Sequence, residues 1–392
     1  DRSYVLEIAE ADARVADALA SAGVSFTAHE CAYLRTPEMP RTGSDTPYTV
    51  FTPYYNACRR QPVAHASFPA PAALHLPDGL PTGIPIASIA NGAPAPPRIL
   101  DYFTPGEAGA AAALERFVAD TLAHYADGRD RPDLVGTSRL SPHLAFGEIA
   151  PWRVAERAEG ASGGIAALGA GGSAGVATPG TSAGPFVRQL HWREFGGYLL
   201  HHFPHTATRP LRAEFAAMPW AEDSAGRDAW CAGQTGIPLV DAGMRELAAT
   251  GWMHNRVRML AASFLTKDLL LPWQDGERFF WESLVDADPG NNTLGWQWVA
   301  GSGADAAPYF RVFNPTTQGE RFDSGGAYVR AWVPELAQLP DRWIHRPHEA
   351  PAEVLDAAGV VLGKTYPRPI LDHAEARLRA LAAYDAVRAA RR

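Results

Sequence analysis

Apolar side chains recur at helical spacing along most of this sequence. In residues 5–22, Val5, Ile8, Ala9, Val15, Ala16 and Leu19 share one face, and Gly23 stands where a helix commonly ends in a left-handed residue. The spacing predicts an amphipathic helix. Val24-Ser25-Phe26-Thr27 then reads as a short β-strand, and a polar loop with Thr42-Gly43 leads to the aromatic run Tyr48-Thr49-Val50-Phe51-Thr52-Pro53-Tyr54-Tyr55. A helix followed by a strand predicts an α/β fragment over residues 1–68. After residue 105 the period is helical almost throughout: an Ala-rich segment at 106–127 with Leu114, Phe117, Val118, Leu122 and Tyr125, then patterns at 186–202, 238–250, 252–271 and 371–390. Residues 105–392 are therefore expected to form a mostly α domain. Eight prolines between Pro69 and Pro97 mark residues 69–104 as an extended interdomain linker. Glu159 to Gly184 is nearly all Gly, Ala, Ser and Thr, which cannot offset chain entropy by burial, and predicts a mobile surface insertion over 159–184.

Composition supports a folded protein with many loops. Glycine and proline make up about 18% of the 392 residues against a usual ~12%, yet 46% are hydrophobic and 20% charged, enough for large cores in two or three domains. A disordered tail protein is excluded. The apolar stretch from Met259 to Leu271 is broken by Thr266, Lys267 and Asp268, short of the ~20 residues of a membrane span, so no membrane partner is expected. Cys31, Cys58 and Cys231 lack CxxC spacing and leave an odd thiol, which fits a reducing cytoplasm better than a disulfide framework or a zinc site. The chain opens at Asp1 without an apolar leader, and no targeting segment is expected. A net charge of -8 argues against indiscriminate polyanion binding but permits a local basic patch.

Three segments carry chemistry. In Gly136-Thr137-Ser138-Arg139-Leu140-Ser141-Pro142-His143, Ser141 is a good N-cap and Pro142 suits the first helical position, with Glu148 further in. Hydroxyls, backbone donors and one Arg converging on a helix start suit a phosphate, although a capped helix with a surface Arg would read the same. In the helix predicted at 252–271, Met253, Val257, Leu260 and Phe264 form one apolar stripe, while Asn255, Arg258, Met259, Ala262 and Thr266 share the opposite face. That second face suits a large ring system with a polar edge, or a helix buried on both sides. A buried Arg258 needs a carboxylate, for which Asp286 and Asp288 are candidates. Trp296 and Trp298 point about 200° apart on a helix, so one can face a cofactor and the other a cavity, or both can fill core. His201, His202 and His205 lack a Cys or carboxylate to complete a metal set and read as an exposed helix end.

Together these segments resemble the DNA photolyase and cryptochrome family, most closely the bacterial class I cyclobutane pyrimidine dimer (CPD) photolyases. The resemblance rests on Gly136-Thr-Ser-Arg-Leu-Ser-Pro, Leu190-His-Trp-Arg-Glu-Phe, Thr250-Gly-Trp-Met-His-Asn-Arg-Val-Arg-Met, Asn291-Asn-Thr-Leu-Gly-Trp-Gln-Trp, Asp305-Ala-Ala-Pro-Tyr-Phe-Arg-Val-Phe-Asn-Pro and Tyr366-Pro-Arg-Pro-Ile-Leu-Asp-His, which occur in family order. It implies an N-terminal α/β antenna domain, here an incomplete Rossmann-like unit lacking its first βα elements, joined to a large all-α FAD-binding domain.

The resemblance also assigns roles. It places the FAD phosphates at Tyr125, Thr137, Ser138, Arg139, Leu140 and Ser141, and the flavin ring at Arg258, paired with Asp286, then Asp288, with Asn292 near N5. Seven of the 11 tryptophans fall between Trp220 and Trp298, and the resemblance gives three of them, Trp296, Trp273 and Trp220, the task of passing electrons to the flavin. Trp192 and Trp298 would line a lesion slot edged by Arg193, Asn255, Arg256 and Met259. A departure is Gln189, where class I enzymes commonly carry Glu; Gln also occurs there in (6-4) photolyases and animal cryptochromes, whereas the (6-4) branch normally has a His-His pair where this chain has His254-Asn255.

The implied activity is light-driven CPD repair by a carbon-carbon lyase using reduced FADH-. The alternatives are a cryptochrome-like photoreceptor or (6-4) repair. The implied partner is dimer-containing DNA, bound through a cluster including Arg193, Arg256 and Arg311, by a metal-free monomer of the cytoplasm and nucleoid. A second antenna chromophore, folate or deazaflavin, would belong to the incomplete domain.

Overall fold

The computed structural model describes residues 4, 6–29, 32–60, 72–73, 88, 95–162, 182–305 and 310–390. Most of the proline-rich linker and of the Gly/Ala-rich insertion lies outside these residues. The N-terminal helix α1 (Leu6–Ser21) forms as its spacing predicts, and Gly23 takes φ +71 just beyond it. The strand expected at Val24–Thr27 does not form. A strand needs a neighbour to satisfy its backbone, and among the described residues there is none; Val24 and Phe26 are exposed, and the sole β-bridge is an isolated one between Leu362 and Tyr366. The α/β reading of the N-terminal region is thus corrected, for the described residues, to helix and loop. The aromatic run instead opens helix α2 (Phe51–Arg59).

The rest is helical: α3 (Glu107–Arg116), α4 (Ser141–Ala145), α5 (Pro151–Ala161), α6 (Ala183–His202), α7 (Pro238–Thr250), α8 (Asn255–Ser263), α9 (Trp273–Ser283), α10 (Pro289–Ala300) and α11 (His373–Ala390) are its principal helices. None of the described helices is long and apolar enough to cross a membrane. The helix predicted from Trp252 begins at Asn255, because His254 caps it by accepting the Arg256 N–H through Nδ1 at 3.1 Å. After Ser263 it widens into a π-turn, Phe264–Asp268, which carries the chain to α9.

Helices α6 and α10 cross at Gly196 and Gly290, where a methyl group on Gly290 would stand 2.6 Å from the Gly196 carbonyl carbon. Only glycine permits that approach. The crossing brings Gln189, Trp192 and Arg193 of α6 beside the Asn291–Trp298 stretch of α10. The main core gathers Trp230, Trp273, Trp296, Met253 and Phe280. A separate aromatic cluster docks α2 onto α6 through Phe51, Tyr54, Tyr55, Phe195 and Tyr198, so the N-terminal segment is seated directly on the helical domain.

Candidate functional site

A cavity of about 680 Å³ opens between the loop before α4 and helices α6, α8 and α10. One end is lined by Tyr125, Thr137, Ser138, Arg139, Leu140 and Ser141. Arg139 adopts φ +51, a left-handed conformation that costs a non-glycine residue about 1–3 kcal/mol and tends to mark functional sites. Its guanidinium lies 5.0 Å from the Tyr102 ring and 4.9 Å from Trp252, with no hydrogen bond or ion pair among the described residues. A cation stacked between rings, its donors taken up by no hydrogen bond among the described residues and next to two hydroxyls, suits an anion. Ser141 departs from its expected N-cap role: Leu140 occupies that position, and the Ser141 hydroxyl accepts from the Trp252 indole at 3.3 Å. Glu148 lies beyond the short helix, where it binds His143 at 2.5 Å and the Gly106 N–H at 2.8 Å.

The middle of the cavity pairs apolar walls with one ion pair. Arg258 donates from Nη2 to both Asp286 oxygens, at 3.0 and 2.8 Å, and from Nε to the Met253 carbonyl at 2.7 Å. The Asp286 side chain is only 3% exposed, so the carboxylate is nearly desolvated, whereas Arg258 is partly exposed to the cavity. Asp288 caps α10, accepting from the Asn291 N–H at 2.8 Å. Asn292, in the cavity wall, donates to the Glu277 carbonyl at 2.8 Å, which fixes its amide. Leu190, Met253, Ala262, Phe280 and Val299 supply the apolar surface. An anionic linker at one end and a flat ring with a polar edge in the middle would be accommodated by this donor set, which fits FAD.

At the mouth stand Gln189, Trp192, Arg193, Asn255, Met259 and Trp298. Gln189 donates to the Pro185 carbonyl at 3.4 Å, Asn255 touches the Met259 sulfur at 3.9 Å, and Trp298 donates its indole N–H to the Asp305 carbonyl at 3.1 Å. Arg193 spends its guanidinium on the carbonyls of Ala32 (2.6 Å) and Leu144 (3.2 Å). Arg256 is not brought to the cavity: α8 turns it outward, to Asp130 at 2.8 Å and over Phe322. Arg311 lines a smaller neighbouring hollow and lies 4.7 Å over Phe313, so the three arginines do not form one cluster.

Of the three tryptophans assigned to electron transfer, Trp296 and Trp273 are buried in the main core, and Trp220 is partly buried at its margin. A methyl group on Gly276 of α9 would overlap Cη2 and Cζ3 of Trp296, so that indole lies directly against the helix that Trp273 begins. Sequence reasoning missed Trp230, whose ring is 6.2 Å from Trp296, and Trp252, which touches both Arg139 and Ser141. The cluster of tryptophans was the signal, but not which of them meet. Also missed were Phe51 and Asp305, far away in sequence. His201 and His202 pack edge-on to Tyr4 and Tyr198 rather than standing exposed, and no three His, Cys, Asp or Glu side chains converge as a metal set among the described residues.

Known proteins share this family and fold. The FAD-binding domain of DNA photolyase matches residues 186–386, and the DNA photolyase domain matches residues 1–72. A deoxyribodipyrimidine photo-lyase of Agrobacterium fabrum is 45% identical over 361 residues, covering 91% of this chain and 72% of that protein. The fold is similar to a bacterial class III photolyase from Agrobacterium tumefaciens, at a TM-score of 0.91 and 43% identity, with 99% of this chain and 78% of that one covered. It is also similar to a Synechocystis cryptochrome, at a TM-score of 0.82 and 29% identity, with 96% and 77% covered. The class I likeness read from the motifs is therefore joined by a class III neighbour.

Proposed function

The chain belongs to the DNA photolyase family, and on that premise we propose that it repairs cyclobutane pyrimidine dimers in DNA with light, the lesion entering at Trp192 and Trp298. It is an FAD-binding enzyme of that family. When bound at these residues, reduced FAD would supply a blue-light-excitable donor of the single electron that ring-opening needs and that the opened product gives back.

The chain's own residues then have four tasks. Arg139 and the neighbouring hydroxyls of Thr137 and Ser138 hold the diphosphate. Arg258, fixed by Asp286, and Asn292, fixed by Glu277, hold the polar edge of the flavin ring. The apolar walls exclude water, which strengthens those polar contacts. At the mouth, two indoles offer flat apolar faces to a dimer whose weakened stacking and pairing make it cheaper to flip out than normal bases.

The observation that carries the CPD reading is the chemistry of the mouth. The face of α8 that meets it offers an amide and a thioether, Asn255 and Met259, and α6 offers another amide, Gln189. None of the three can supply a proton, which suits a ring-opening that needs only an electron. The test is illumination of purified, reduced protein with an oligonucleotide carrying a single thymine dimer. Loss of the dimer is expected. A dimer that persists while the flavin still photoreduces would favour the photoreceptor reading, and loss of a (6-4) photoproduct instead would reassign the lesion.

A further inference from the structure

Trp192 on α6 and Trp298 on α10 belong to different helices, yet both connect to one short stretch of the N-terminal segment, Thr49 to Phe51, Trp192 directly and Trp298 through Asp305. The Phe51 ring is fully buried and lies on the Trp192 indole with centroids 3.7 Å apart and planes 9° from parallel. The Arg188 guanidinium, one turn earlier on α6, lies 5.0 Å over the same phenyl ring. On the other wall, the carbonyl that receives the Trp298 indole N–H is that of Asp305. Asp305 is itself tied to the segment, since its N–H donates to the Thr49 carbonyl at 3.1 Å and its carboxylate accepts from the Phe51 backbone. With φ +51, Asp305 holds a conformation that persists only where its surroundings impose it.

We propose that Thr49–Phe51 is a clamp that sets the spacing between the two indole walls of the lesion slot, with Phe51 as its positioning residue. The proposal rests on the reading of the mouth given above. A slot selects a flat, fused pair of pyrimidines only if its walls stay parallel and apart when empty, because walls ordered by the ligand cost affinity. Phe51 stacks on one face of Trp192, and the same turn of chain anchors the acceptor of Trp298. A residue that merely filled core would, on removal, weaken folding, flavin retention and both kinds of DNA binding alike. A clamp residue changes the ratio between damaged and undamaged DNA.

The experiment measures, per flavin-loaded protein, the dissociation constants for a dimer oligonucleotide and for its undamaged counterpart at fixed salt. In Phe51→Ala, dimer affinity is expected to fall about three- to tenfold, the range set by one aromatic pair. Undamaged DNA, flavin content and thiol-driven photoreduction are expected to match wild type, and Phe51→Tyr is expected to restore dimer affinity. Should Phe51→Ala fail to fold, Phe51→Leu keeps the bulk but loses the flat face and carries the same comparison. A Phe51→Leu protein that discriminates as wild type does overturns the clamp alone. A wild-type protein with no preference for the dimer overturns the reading of the mouth, and the clamp with it.

Discussion

Replacing Arg258 with Ala removes the only side chain among the described residues that pairs with Asp286, and its cost follows from the burial of that carboxylate. Asp286 is 3% exposed at its side chain, and Arg258 Nη2 serves both of its oxygens at 2.8 and 3.0 Å. Breaking a buried pair by removing one partner costs about 3–5 kcal/mol, since a carboxylate is left desolvated and unpaired. The Met253 carbonyl also loses its donor, a further ~1 kcal/mol. Borne by the flavin-bound state, about 3 kcal/mol weakens cofactor affinity by more than about a hundredfold. The assay is the flavin-to-protein absorbance ratio after gel filtration, with urea unfolding of the apoprotein to separate binding from stability. Arg258→Ala should emerge without flavin, and Arg258→Lys should retain little, because an ammonium cannot reproduce the guanidinium's spread of donors. Adding Asp286→Asn to Arg258→Ala removes the stranded charge, so the double variant should lose less than the two single losses added together. Stoichiometric flavin in Arg258→Ala, or strict additivity in the cycle, would refute the reasoning.

Trp296→Phe is expected to block light-driven reduction of oxidised flavin by external thiols, because a phenyl ring is far harder to oxidise than an indole, while dimer repair by chemically reduced protein survives; photoreduction at the wild-type rate sinks the assignment. Gly276→Ala should slow the same photoreduction with flavin retained, since the added methyl displaces the Trp296 ring from α9; unchanged kinetics would show that the contact does not position the indole. Burial pushes the Glu194 carboxyl up to about 7, so the native state holds a proton that the unfolded chain releases near 4.5. The stability this contributes is complete below pH 4.5 and is lost as the pH rises through about 7. Glu194→Gln keeps an acceptor for the Leu34 N–H, and urea titrations from pH 4.5 to 8 should show it gaining on wild type across that window; a pH-independent difference would rule this out.

Much of this protein is legible in one dimension because the information is local. Helical spacing predicts α1, α7 and α11 to within a few residues, and Gly23 takes the left-handed conformation just beyond α1 that its place in the sequence leads one to expect. A 100° step groups Asn255, Arg258, Met259, Ala262 and Thr266 on one face; the first four, on α8, line the cavity, because a helix fixes its own side-chain directions before any packing occurs, whereas Thr266 falls in the π-turn and does not. The strand at Val24–Thr27 failed for the opposite reason: a strand is completed by a partner elsewhere in the chain, and periodicity says nothing of whether the partner is there. Arg256, about 100° round the helix from Asn255, faces away from that face; that its partner there is Asp130 depends on where the 129–133 loop packs. The spacing of Trp192 and Trp298 is likewise set by Phe51 and Asp305, which are 254 residues apart. Sequence therefore determined which residues could do the chemistry, whereas tertiary structure decided which of them meet, since contacts across that separation depend on how α2, α6 and α10 pack, down to a glycine pair at which two backbones come within 3 Å of a would-be methyl group.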